Sequence, residues 1–210
     1  MMLPEAWETL DFDPATRERS IEQLVRRTVG DADSSVLHQW AINTYRQVFA
    51  HAASTGMFFG ANFTSELAGR PLSASVVAFV TQAPLDHGGR IMEPATLAQA
   101  LAHPHHERPI EPPRLVDLPV GPSVRTRARV GPALRTPDRA GSTVSAYSGI
   151  DVREHDAATH ESEVDVVRFY TAMPARDLLL VITFSTPVLA AAGAFAELFD
   201  SIAITAQWKD

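Results

Sequence analysis

From Leu178 to Ala196 the chain runs 19 residues without a charge, broken only by Ser185-Thr186-Pro187. A stretch of that length matches a membrane span. However, a hydroxyl followed by proline is the signature of a helix start, which a span does not carry at its midpoint. The segment therefore reads as a buried strand over Leu178 to Phe184, a turn, and an amphipathic helix. On that helix Val188, Ala192, Phe195, Phe199 and Ile202 share one face. A strand without a charge and apolar at nearly every position reads as buried on both of its faces, which suits a layered fold.

The strands before it are closely spaced. Arg114 to Leu118 and Ser123 to Val130 flank Pro119-Val120-Gly121-Pro122, and Val164 to Thr171 precedes Met173-Pro174-Ala175-Arg176-Asp177. Turns this short join antiparallel neighbours, because parallel pairing needs a long crossover. A further strand is expected over Thr143 to Ile150. Upstream, Met57 to Phe63 and Leu72 to Thr81 read as strands joined by Glu66-Leu67-Ala68-Gly69-Arg70-Pro71, whose Gly and Pro suit a hairpin connection. A short helix follows Glu93-Pro94, and the proline-rich stretch from His103 to Pro113 reads as an extended loop.

The first 55 residues read as two helices. One begins after Asp13-Pro14 with Ile21, Leu24, Val25 and Val29 on a stripe and ends at Gly30. The second ends near Ser54, with Leu37, Ala41, Tyr45, Val48 and Ala52 spaced by fours and threes and Gly56 as its stop. The expected class is α+β: a single antiparallel sheet of about five to seven strands covered by helices, with two extra N-terminal helices and a C-terminal one. Residues 1–210 form one domain, helical over 1–55 and sheet-based over 56–210.

Composition removes several chemistries. The chain has no cysteine, so disulfides, thiolate nucleophiles and thiolate metal sites are excluded. Its 18 basic residues include a single lysine, Lys209, beside the C-terminus, a poor place for Schiff-base or phosphate-cradling chemistry. Acidic residues at the N-terminus do not suit a signal peptide. A net charge of −7 argues against nucleic acid as a partner. The expectation is a cytoplasmic protein with no membrane partner, no cofactor, and a protein partner or a second copy of itself.

Two patterns carry candidate chemistry. Val124-Arg125-Thr126-Arg127-Ala128-Arg129-Val130 alternates with period two, placing Arg125, Arg127 and Arg129 on one strand face about 7 Å apart. They read either as a platform for an acidic partner or as cross-strand partners of Glu163 and Asp165. His103, His105 and His106 with Glu107, and His155 and His160 with Asp156 and Glu161, offer imidazoles to a metal, although neither spacing matches an established pattern. A small hydrolase using these loops, or a small-molecule carrier, is the alternative function. No Gly-x-Ser-x-Gly elbow or nucleotide-binding glycine loop is present. Trp40 and Tyr45 on the second helix, with Trp7 and Phe49, read as binding anchors or as the cap of the sheet.

The Pro119-Val120-Gly121-Pro122 turn before a strand, and the run from Leu178 into Pro187, give the chain an element order that resembles the Mog1/PsbP-like fold over residues 56–208. That resemblance implies a non-enzymatic binding or assembly factor.

Overall fold

In a computed structural model, the protein is described over residues 1–10, 12–13, 15–29, 35–86, 88–102, 107–131, 163–174 and 176–208. The elements run β1 (Trp7–Leu10), α1 (Arg17–Val29), α2 (Ser35–Ser54), β2 (Met57–Leu67), β3 (Arg70–Gln82), α3 (Pro94–Leu101), β4 (Arg108–Leu118), β5 (Gly121–Val130), β6 (Val164–Ala172), β7 (Leu178–Thr186) and α4 (Ala192–Ala203). One short 3₁₀ turn, Leu189–Ala191, leads into α4. All seven strands form one open antiparallel sheet in the order β1-β2-β3-β7-β6-β5-β4.

Strand β7 lies at the centre, which accounts for its uncharged sequence. Its alternate residues Leu180, Ile182 and Phe184 face α4, joining Val76, Ala78, Val167, Phe169, Phe195 and Phe199 in the largest core cluster. Leu179 and Val181 face the other way, into a smaller cluster with Leu97 of α3 and Val124. At the β1–β3 end of that second face, α1 and α2 pack Ile21, Val25, Tyr45 and Phe49 against Met57 and Val77. The sheet is thus a middle layer, with α4 on one side and α1, α2 and α3 on the other. No helix among the described residues is long and apolar enough to cross a membrane.

Several boundaries differ from expectation, each for a physical reason. The stretch expected as a proline-rich loop contributes the first half of β4, Arg108–Pro113. It is an edge strand, where proline loses no ladder bond, and two register shifts absorb the irregularity. β1 is a four-residue edge strand too short to show a period. The last helix begins beyond Pro187. Thr186 Oγ1 does accept the Val188 amide at 3.1 Å, but a 3₁₀ turn intervenes before α4. The strand expected over Thr143 to Ile150 lies outside the described residues.

Gly56, between α2 and β2, sits at φ +79°, and a Cβ there would stand 2.5 Å from the Val80 carbonyl oxygen. Its own carbonyl accepts the Val80 amide at 3.1 Å, so the close approach is fixed by pairing. Gly56→Ala is expected to cost about 1–3 kcal/mol, read as a lower urea midpoint at unchanged slope.

Candidate functional site

β5 carries its three arginines on the α4 side of the sheet, opposite Phe169, Val167 and Asp165 of β6. None of them stands free. Arg125, with only 3% of its side chain exposed, donates from Nε to Asp200 Oδ1 of α4 at 2.6 Å and from Nη1 to Glu111 Oε1 of β4. Asp200 Oδ2 also accepts from Arg114 at 3.1 Å. Arg127 grips Asp165 with Nε and Nη2 at 3.0 and 3.2 Å, and that carboxylate is 1% exposed. Arg129 lies 3.8 Å from Glu163, which accepts from Arg108 at 3.0 Å.

Five guanidiniums therefore share four carboxylates in a network that ties β4, β5, β6 and α4 together. Of the two readings of the arginine row, the structure shows the paired one at Arg125 and Arg127, and a partner reaching either must first displace a bound carboxylate. Glu163 and Asp165 were legible as candidate acids; Glu111 and Asp200, from β4 and α4, were not. Arg108 and Arg114 retain exposed heads, and pairs at that exposure contribute about 0–1 kcal/mol.

The opposite face holds a second polar group. Arg168 Nη1 and Nη2 donate to the two oxygens of Glu107 at 2.7 and 2.8 Å. Tyr170 hydrogen-bonds with Arg168 and Thr126. Burial works against the Arg168 charge, but Tyr170 and Glu107 more than offset it, and the guanidinium is held above its ordinary pKa. Burial likewise pushes the Tyr170 phenol above its ordinary value, against a smaller opposing pull from Arg168.

The unfolded chain releases the tyrosine proton near pH 10, before the folded one does. Stability from this group is therefore complete below pH 10 and is lost as the pH rises through the folded pKa. In absorbance titration at 295 nm Tyr170 should ionise late. Tyr170→Phe should remove both that late component and its share of the alkaline loss of stability.

Beside this group a recess is bounded by Leu101, Pro109, Pro113, Tyr170, Glu107 and Glu111. It encloses about 40 Å³, enough for a water or two and too little for a metabolite.

Of the aromatic candidates, Tyr45 and Phe49 on α2 are buried between that helix, α1 and the sheet, and Trp7 on β1 is buried in the α4-side core. Tyr45 and Phe49 cap the sheet. Trp40 falls on α2, but its side chain lies outside what the structure describes. His103, His105, His106, His155 and His160 also lie outside the described residues. Among the described residues no three His, Asp or Glu side chains converge as a metal site would require.

One surface was not anticipated: open main chain. β1 pairs with β2 only from Gly60 to Phe63, and β7 meets β3 only from Ser75 onward. The end of the β2–β3 hairpin, residues 64–73, overhangs both neighbours as a two-stranded ribbon closed by Ala68 (φ 51°) and Gly69 (φ 74°). A two-residue loop with both φ positive makes Leu67 and Arg70 a hydrogen-bonded pair. Even-numbered residues of β2 consequently point their amides and carbonyls outward, and odd-numbered ones point inward. Asn62 and Gly60 satisfy theirs on Glu8 and Leu10 of β1, while Thr64 and Glu66 meet no strand among the described residues. Glycine after alanine between two apolar runs was the available signal, but Pro71 obscured how far the hairpin extends.

The molecule is thus an α+β protein built on an open seven-stranded antiparallel sheet, with an internal charge network and a β2 segment that meets no outer strand among the described residues. Comparison with protein-family models, with curated proteins and with solved structures finds no match to this chain.

Proposed function

We propose that this chain is a non-catalytic binding or accessory protein of the cell interior that acts through protein–protein interaction. Its sheet is of the Mog1/PsbP-like kind. The order of elements after α2 supports that assignment: a strand pair, a helix, further antiparallel strands and a closing helix. The observation that carries the functional reading is the uncovered edge of β2. The charged side chains brought together by the strands neutralise one another, while the surface left open is main chain, which recognises other main chain.

The test is capture from the source cells followed by reconstitution. A partner that forms a complex of fixed stoichiometry with the purified chain, measured by light scattering after gel filtration, is the expected result. If no captured protein re-forms a complex from pure components, the reading fails. Arg108→Glu and Arg114→Glu are the appropriate surface controls, since their side chains are 62% and 51% exposed.

A further inference from the structure

We propose that the outer edge of β2 at Thr64–Leu67 is a strand-addition site for an extended segment of another protein, with a basic residue opposite Glu66 and an apolar one beside Leu67. This rests on the binding reading above and names the surface and the partner's chemistry.

The first support is that neighbouring edges among the described residues carry obstacles to strand addition that this one lacks. The first half of β4, at the far edge of the sheet, carries Pro109, Pro112 and Pro113 and two register shifts, so Arg108–Pro113 offers an interrupted row of donors. On the ribbon's other side, β3 turns its odd-numbered groups outward. Pro71 has no amide to present, and the Ser73 carbonyl is already bound by Thr186 Oγ1 at 2.7 Å. Beyond Thr186 the chain continues as Pro187. Thr64 and Glu66 on β2 lack these protections.

The second support is the path of the N-terminus. Continuing β1 in register would set residues 6, 5 and 4 opposite 64, 65 and 66. The chain instead turns, with the Trp7 amide bonded to the Pro4 carbonyl at 3.0 Å and the Met2 amide to Thr205 Oγ1 at 2.8 Å. A slot collinear with β1 is left beside the ribbon, and it fits a strand entering end to end with β1.

The occupant's chemistry follows from the two faces of that slot. On one face stands Glu66, in a molecule of net charge −7. The other face offers Leu67, 66% exposed, beside Leu72. A second copy does not suit the slot. Centring two ribbons on Ser65 drives Leu67 into the place of Trp7, and centring them on Glu66 sets two glutamates opposite each other.

The probes are five-residue peptides alternating valine with lysine, compared with valine–glutamate and valine–serine versions and with one N-methylated at the lysine amides. Titrated into ¹⁵N-labelled protein, the lysine peptide should saturate shifts confined to Thr64–Leu67 and β1, and should slow exchange of the Thr64 and Glu66 amides. N-methylation or Thr64→Pro should weaken it by about threefold to tenfold, as loss of main-chain hydrogen bonds does. Glu66→Gln should erase its advantage over the serine peptide. Shifts elsewhere, equal binding of the glutamate peptide, or no saturation by 1 mM (about the weakest affinity worth calling specific) would overturn the inference. A reconstituted partner that binds Thr64→Pro as tightly as wild type would overturn it too, while leaving the binding function standing. Failure of reconstitution with intact peptide binding would do the reverse.

Discussion

Replacing Phe199 with alanine is expected to remove about 3–5 kcal/mol of stability, the largest loss from any single truncation on α4. Phe199 is fully buried, stacks on Phe184 at 4.9 Å between ring centroids, and is flanked by Phe195 at 5.7 Å. Phe184 in turn meets Phe169 edge-on at 6.1 Å, so the ring column links α4 to β6 and β7. The cavity would open between rigid strands and one helix, where little can collapse into it. For a chain of this size the thermal midpoint should fall by about 10 °C. Urea denaturation gives the free energy directly; a change under about 1 kcal/mol, ordinary for a surface position, would mean that α4 is not seated on this column.

Arg127→Leu should be nearly as damaging, at about 3–5 kcal/mol, although it exchanges a charge for a residue at home in a core. The cause is the partner left behind. Asp165 is 1% exposed, and without Arg127 its carboxylate is buried with neither of its two guanidinium donors. Adding Asp165→Asn should restore most of the loss, and that non-additivity is the signature of the pair. By contrast Arg108→Leu, at an exposed pair, should cost no more than about 1 kcal/mol. Equal costs at Arg127 and Arg108 would contradict the burial described for Asp165. Exchanging the three β5 arginines for glutamates would set carboxylates against Asp165, Asp200 and Glu111. Such a variant would report on folding before it could report on any partner.

The sequence was most legible where one physical requirement dominated. β7 announced itself because a central strand covered on both faces excludes charge along its whole length. β5 was readable from alternation and β6 from the tight turn that follows it, and Glu163 and Asp165 could be named as the acids facing the arginine row because neighbouring antiparallel strands put them there. What stayed hidden depended on distance along the chain or on position at an edge. Asp200 is 75 residues from the arginine it binds, and nothing local marks it. The prolines of β4 suggested a loop because they forbid a central strand; an edge strand obeys a different rule, and only the sheet order shows which applies. Pro71 concealed the reach of the β2–β3 ribbon in the same way. Tyr45 shows the limit for side chains, since a helical stripe looks the same whether it meets a partner or its own sheet.

The place of β7 also orders events in time. Among the described strands it comes last in the chain, yet it is the strand that pairs β1-β2-β3 with β6-β5-β4. Ser75 meets Ser185 across 110 residues, with their hydroxyls 2.7 Å apart. Until that strand leaves the ribosome, the β1-β2-β3 piece, complete at Gln82, must wait with its inner edge exposed, and contacts of such long range close slowly. The nascent chain carries that unfinished edge throughout the synthesis of residues 83–177, and any factor that shields it would act before residue 178 appears.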